Sequence, residues 1–404
     1  MSSKVQTNYA EVEYQEGDSF YLDLRHEDYR KQYWIDLKVL PCQCKLLLVA
    51  LIYPIVFPLW RMRLGDKSGL QGLNVFKFII LMLFSSMVSA NSCVVLLYHR
   101  FSGSTPKSTS ISPVLFEQHL QYLQDNDFKV LQLKTMLERL DNDDLPNKCV
   151  VLTADDAYQS MVKNAYPLLK KYQMPMSVFV SSEPVDKKYP AMTTWQQMRS
   201  MQGDLMQFYN HTMTHPYLLD LNKTQIKTQI TQTQNRLNQE LNQHNKIFAY
   251  PYGEASLEIF KQVKDLGYSA FGQYSGVVSK MSHRQNLPRF PMAGDYAKML
   301  SFKTKVNALP MPIKLKNINP IFTQNPPTLE LEFFESLNKH QKSNLNCFAN
   351  GGVNMTWQGD KSVKIVAKKP LTERRSKYNC TMPSQQKSSY YWYSIQWINP
   401  EIKK

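Results

Sequence analysis

The chain has 404 residues and a formal net charge of +15, with 48 Lys and Arg against 33 Asp and Glu. That length has room for two domains and a leader. The basic residues are scattered and no nucleic-acid-binding motif accompanies them, which argues against a nucleic-acid partner. Residues 1–40 carry five basic and eight acidic side chains, so the positive excess lies in the remainder. There it suits docking on anionic envelope polymers or lipid headgroups.

Two apolar runs come first in chain order. Residues 46–60, between Lys45 and Arg61, contain Pro54 and Pro58 and fall short of the roughly 20 residues of a membrane span. Residues 73–90 read as a secretory signal peptide, with Lys77 near the start, an apolar centre and a Val88-Ser89-Ala90 end. This pattern begins some 70 residues into the chain. Either the true start lies near Met62 or at a non-Met codon close to Leu73 or Val75, or residues 1–90 are a translated extension with membrane passes. The first is favoured. Both predict an exported protein of the periplasm or cell envelope, the second with an inner-membrane anchor.

Residues 91–300 alternate apolar strands and helical patterns. Strands are predicted at 94–98, 150–153, 177–181, 206–209 and 247–250, with helices at 113–125, 161–172, 194–202, 223–243 and 256–267. This is the βα repeat of a parallel sheet, and it admits either a barrel or a doubly wound sheet. Residues 301–327 read as a Pro-rich linker, with five prolines between 305 and 327. Residues 328–404 read as a small β-rich, sandwich-like domain with Gly351-Gly352 and Gly359-Asp360 as turns. The run 390–397 carries aromatics on both faces, one packing inward and the other meeting sugar rings or the preceding domain. Arg374-Arg375-Ser376-Lys377 reads as a solvated turn.

Two segments carry the chemistry. Thr153-Ala154-Asp155-Asp156-Ala157 ends an apolar strand with adjacent carboxylates, and His211-Thr212-Met213-Thr214-His215 spaces two imidazoles by four residues. On a helix or in a tight turn these imidazoles share a side. With one carboxylate they make a three-ligand site with open positions, where a divalent cation lowers the pKa of its water towards about 7. The H-E-x-x-H general base is missing, which leaves Asp155, beside the liganding Asp156, as the natural base. Taken singly, each segment has an ordinary reading, as a strand end or as packing.

In order and surroundings these segments resemble the polysaccharide deacetylases of carbohydrate esterase family four, the NodB-homology enzymes. The third motif is similar at Phe248-Ala249-Tyr250-Pro251-Tyr252-Gly253, and Tyr98-His99-Arg100 resembles the opening strand. The resemblance covers roughly residues 93–295. It implies a distorted (β/α) barrel. It also implies Asp155 as base, Asp156, His211 and His215 as ligands of Zn²⁺ or another divalent transition metal, and Tyr158, Pro251 and Tyr252 along the sugar groove. A backbone N–H near Tyr158 would face the oxyanion. The implied reaction is hydrolysis of N-acetyl groups on an N-acetylglucosamine polysaccharide, releasing acetate, by a monomer.

The departures are informative. Ala154 and Ala157 replace Phe and Gly, and Ala tolerates positive φ poorly. Ala249 stands where an Arg often tethers the base, and Arg289 could supply that cation from a later strand. An aromatic before Pro-Tyr-Gly tilts the resemblance towards poly-β-1,6-N-acetylglucosamine deacetylases. The usual Leu-x-His acid is not evident; His283 and His340 read as surface residues. Parallel strands after Cys93 and Cys149 would place both at one end, which suits a Cys93–Cys149 disulfide. Cys347–Cys380 would be a second, and both fit export. The alternatives are a catalytically weak glycan-binding protein of the envelope and a non-haem iron enzyme. The latter normally places its carboxylate two residues from the first His, unlike this chain.

Overall fold

A computed structural model describes residues 91–402 except 104–105, 317 and 386–388, together with the backbone of four N-terminal strands. Those strands, Ser3–Thr7, Ala10–Tyr14, Ser19–Asp23 and Tyr33–Asp36, form an antiparallel meander that is a unit by itself. The apolar runs at 46–60 and 73–90 lie outside the described residues. Among the described residues no helix is long and apolar enough to cross a membrane.

The main sheet holds β1 (Ser92–Tyr98), β2 (Cys149–Asp155), β3 (Met176–Val180), β4 (Met206–Asn210), β5 (Ile247–Ala249) and β6 (Ser269–Phe271). These six run parallel in sequential spatial order. A doubly wound sheet reverses its order at a switch point. Here the order never reverses, so the sheet curls into a distorted (β/α) barrel. All seven residues of β2 are buried, the continuous apolar pattern of a strand covered on both faces.

The gap in the curl is spanned by one segment. Leu287 bridges Phe271 at the β6 edge. A few residues later β8 (Phe290–Pro291) pairs with Leu96 and Leu97 of β1. The short β7 (Val278–Ser279) pairs antiparallel with the start of β1. Residues 287–291 therefore close the barrel, and Arg289 lies on that closure.

The helices obey local rules. In α1 (Pro113–Asp125) Ser112 caps the first turn and Pro113 occupies the position where no N–H is needed. In α2 (Leu133–Asp141) Leu133, Met136, Leu137 and Leu140 form the buried stripe of an amphipathic helix. Burying each such side chain contributes about 1.5–3 kcal/mol. Asn222 and Gln225 form a capping box that starts α3 (Lys223–Leu241). The Sγ atoms of Cys93 and Cys149, paired residues of β1 and β2, are bonded.

The later residues form a lobe of two sheets around a shared apolar core. One holds β9 (Leu309–Pro310), β11 (Asn346–Phe348), β14 (Arg375–Pro383) and β15 (Tyr390–Ile398), in spatial order β9-β15-β14-β11. The other holds β10 (Thr328–Glu332), β12 (Val353–Gln358) and β13 (Ser362–Ala367). Cys347 and Cys380 are bonded across β11 and β14. Trp392 of β15 packs edge-on against Phe290 of the barrel. That side of the aromatic strand meets the preceding domain. The reading of residues 374–377 as a solvated turn is corrected: Arg375 begins β14 and Arg374 is buried. Its charge is neutralised by carboxylates that are distant in sequence, so the charge run is an interface and not a solvated face.

Candidate metal and catalytic site

The site is built at the C-terminal ends of the parallel strands, where barrel folds place their chemistry. Asp155 is the last residue of β2 and is buried. Arg289 donates from Nη1 to Asp155 Oδ1 at 2.6 Å and from Nη2 to Oδ2 at 2.9 Å. It also donates from Nε to the Gly272 carbonyl and from Nη1 to Thr153 Oγ1. The guanidinium is completely buried, with 0% of its surface exposed. Burial alone would raise the Asp155 pKa. The Arg289 charge and hydrogen bonds, with a lesser pull from the neighbouring histidines where they are protonated, outweigh it and hold the carboxyl at about 2. Asp155 is therefore ionised across the neutral range.

Asp156 turns away from its neighbour because the chain enters the left-handed region, with φ of 70° at Asp156 and 53° at Ala157. Ala157 holds the conformation that glycine adopts more readily, at a strain of order 1–3 kcal/mol. The second histidine segment is a tight turn, not a helix. Thr212 N–H donates to Asn210 Oδ1 and His215 N–H to Thr212 Oγ1. Gln229 of α3 accepts from the N–H groups of Met213 and Thr214. Positive φ at Thr212 and His215 completes the turn.

Nε2 of His215 lies 3.5 Å from Asp156 Oδ1 and Nε2 of His211 lies 3.7 Å from the same oxygen. His211 Nδ1 is 2.8 Å from the Ala249 carbonyl. That contact calls for N–H on Nδ1 and leaves the Nε2 lone pair free for a cation. Burial pushes the His211 pKa down to about 4, against the pull of Asp155, so the imidazole is neutral and fit to ligate. One ligand atom each from Asp156, His211 and His215 lies within 4.8 Å of the others. Two imidazoles and one carboxylate at this spacing fit a zinc-type cation.

Tyr252 follows β5 in a tight turn, Pro251–Gly253, with φ of 58°. Its ring meets the His215 ring edge-on at 4.5 Å and stacks on Tyr217 at 4.1 Å. Gly253 has no substitute: a Cβ there would lie 2.6 Å from that of Gln273. Pro251 is buried and holds the turn. Tyr158 adjoins Asp156 and lies under the Arg100 guanidinium, 3.7 Å from its ring centre. Burial and the Asp156 charge push its hydroxyl up to about 12, so it remains a neutral donor.

Asp155, Asp156, His211, His215, Arg289, Tyr158, Pro251 and Tyr252 are thus brought to one end of the barrel. Sequence reasoning assigned no role to His99, Tyr217, Glu254, Arg374 or Arg375. His99 follows β1, and a positive charge on it would favour ionised Asp155; its place at a strand end was the available signal. His283 and His340 are exposed. Tyr217 stood two residues after His215, while nothing local marked Glu254 or the arginines.

Residues 142–271 match the family model described as polysaccharide deacetylase. The chain is 30% identical over 175 residues to the Bacillus subtilis protein YxkH, whose name places it among polysaccharide deacetylases. That match covers 43% of this chain and 61% of YxkH, about three fifths of the relative's length. It is 26% identical over 232 residues to a Staphylococcus aureus poly-β-1,6-N-acetyl-D-glucosamine N-deacetylase, covering 51% of this chain and 80% of that protein. Among solved structures, the Streptococcus pyogenes deacetylase PplD in complex with acetate is similar at 28% identity. It covers 50% of this chain and 93% of its own, with a TM-score of 0.48. IcaB from Ammonifex degensii is similar at 25% identity, covering 52% and 95%, with a TM-score of 0.48.

Proposed function

We propose that the chain, which is similar to polysaccharide deacetylases, hydrolyses N-acetyl groups on an N-acetylglucosamine polysaccharide and releases acetate. The observation that carries the reading is the convergence of a clamped carboxylate, Asp155, with the Asp156, His211 and His215 donor set. A divalent cation held by those three residues supplies Lewis acidity and an acidified water.

Asp155 is the base. Its ionised carboxylate takes a proton from the attacking water, and Arg289 fixes its direction. The same clamp lowers its basicity, so Asp155 contributes through placement as much as through proton affinity. Tyr252 and Tyr217 offer aromatic rings at the edge of the site, and Tyr158 offers a neutral hydroxyl. His99, directly after β1 and near enough to influence Asp155 electrostatically, is the histidine outside the ligand pair that we assign to proton delivery to the leaving amine. The signal-peptide pattern supports an exported enzyme of the cell envelope.

The test is acetate release from β-1,6 and β-1,4 N-acetylglucosamine oligomers and from peptidoglycan, before and after chelation and Zn²⁺ return. Release that is lost on chelation and restored by Zn²⁺ is expected. Stoichiometric metal binding with no release from any oligomer would replace the enzyme reading with a glycan-binding one.

A further inference from the structure

We propose that the C-terminal lobe is part of the site's positioning machinery and that Arg374 is the residue through which it acts. The inference rests on the metal-site reading above. Arg374 is 2% exposed and uses its whole donor fork. Nε and Nη2 donate to Glu254 at 2.9–3.0 Å, and Nη2 also reaches Asp220 Oδ1 at 3.3 Å. Nη1 donates to the carbonyls of Pro400 and Ile402. Glu254 is itself 0% exposed and is the residue directly after the Pro251–Gly253 turn. The turn that presents Tyr252 is therefore tied at its exit to the lobe.

A second line of contact reaches the metal donors. The Arg374 guanidinium lies over the Tyr217 ring, 4.5 Å from its centre. Tyr217 stacks on Tyr252, and Tyr252 meets His215 edge-on. Neighbouring lobe residues hold the same turn. Arg375 lies over Tyr252 at 5.2 Å, and Gln396 donates to the Gly253 carbonyl at 3.1 Å. The left-handed Tyr252 backbone is costly in isolation. A clamp on both sides over-determines it. A planar guanidinium does this because it can pair in its plane and stack on its face, which an ammonium cannot.

A bridge that only glues the lobe to the barrel would affect melting temperature and nothing else. Three variants separate the roles. Tyr217→Leu leaves the Arg374–Glu254 pair intact and removes the ring between Arg374 and Tyr252. Arg374→Lys keeps a cation opposite Glu254 and loses the planar face. Arg374→Met combined with Glu254→Gln removes both charges, in case Arg374→Lys does not fold. Co²⁺ titration by absorbance and acetate release are read on folded protein. We expect Tyr217→Leu and Arg374→Lys to weaken Co²⁺ binding about tenfold, the scale seen when a ligand's outer partner is lost. The kcat for acetate should fall with it. Folded variants with unchanged Co²⁺ affinity and unchanged kcat would overturn the proposal, as would a wild-type protein that binds no Co²⁺. If wild type binds Co²⁺ but releases no acetate, the deacetylase reading fails and the Co²⁺ arm still decides the brace.

Discussion

Two buried arginines each clamp a buried carboxylate, and they do so from different parts of the molecule. Arg289 holds Asp155 from the segment that closes the barrel. Arg374 holds Glu254 from the foot of β14 in the C-terminal lobe. Both forks are also satisfied by backbone carbonyls. A buried ion pair adds little net stability once its desolvation is counted. What it supplies is geometry, and the two geometries differ. Arg289 aims the carboxylate that we propose as the base. Arg374 fixes a turn one step removed from it. Losing either arginine strands a buried charge, so the two should look alike in stability and unlike in catalysis.

That contrast can be broken in several ways. Asp155→Asn keeps the shape of the first clamp and removes its base, so acetate release should fall about 10²–10⁴-fold while Zn²⁺ content, read by atomic absorption, is retained. Unchanged release would refute the base assignment. His99→Gln should cost about 10²-fold if that residue delivers the proton; a pH–rate profile that keeps both limbs would remove it from the role. Arg289→Met and Arg374→Met should each destabilise by about 3–5 kcal/mol in urea unfolding. Only Arg289→Met should bring acetate release down to the level of Asp155→Asn. Equal activity losses would erase the distinction between the clamps.

Smaller effects sharpen the same comparison. The Cys93–Cys149 bond closes 56 residues of the barrel and Cys347–Cys380 closes 33 of the lobe. Replacing either pair by serine should cost about 2–4 kcal/mol in the purified, oxidised protein, with unfolding monitored by tyrosine and tryptophan fluorescence. A pH-dependent contribution comes from His119. It is buried between the Ala297 carbonyl and Tyr98, stacked on Phe302, and burial pushes its pKa from 6.5 down to about 4. The unfolded chain binds that proton first. Its contribution is therefore present above pH 6.5 and is lost as pH falls towards 4, about 2 kcal/mol by pH 5. His119→Gln should flatten that slope; an unchanged slope would assign it elsewhere.

Much of the site was legible because its signals are local. Strand ends, the Asp-Asp pair, the four-residue histidine spacing and the Pro-Tyr-Gly turn each lie within a few residues, where φ/ψ preferences and side-chain direction operate. The βα alternation likewise announced a parallel sheet. It left barrel and doubly wound sheet open, because strand order is a property of crossovers and not of strands. Ala157 argued against a left-handed turn by its own preference, yet the surrounding motif imposes one.

The two clamps mark the boundary between what the sequence determined and what tertiary structure decided. The sequence by itself pointed to the proposed donor set and the proposed base, and it specified the paired cysteines and the βα order. It pointed to Arg289 only through resemblance, and it misplaced Arg374 in solvent. Arg289 and Asp155 are 134 residues apart, and Arg374 and Glu254 are 120 apart. A charge reads as solvated until the fold supplies its partner. Only closure of the barrel and docking of the lobe bring these charges together, because the cost of burying each is offset by a partner carboxylate or guanidinium and by carbonyls that the fold alone supplies.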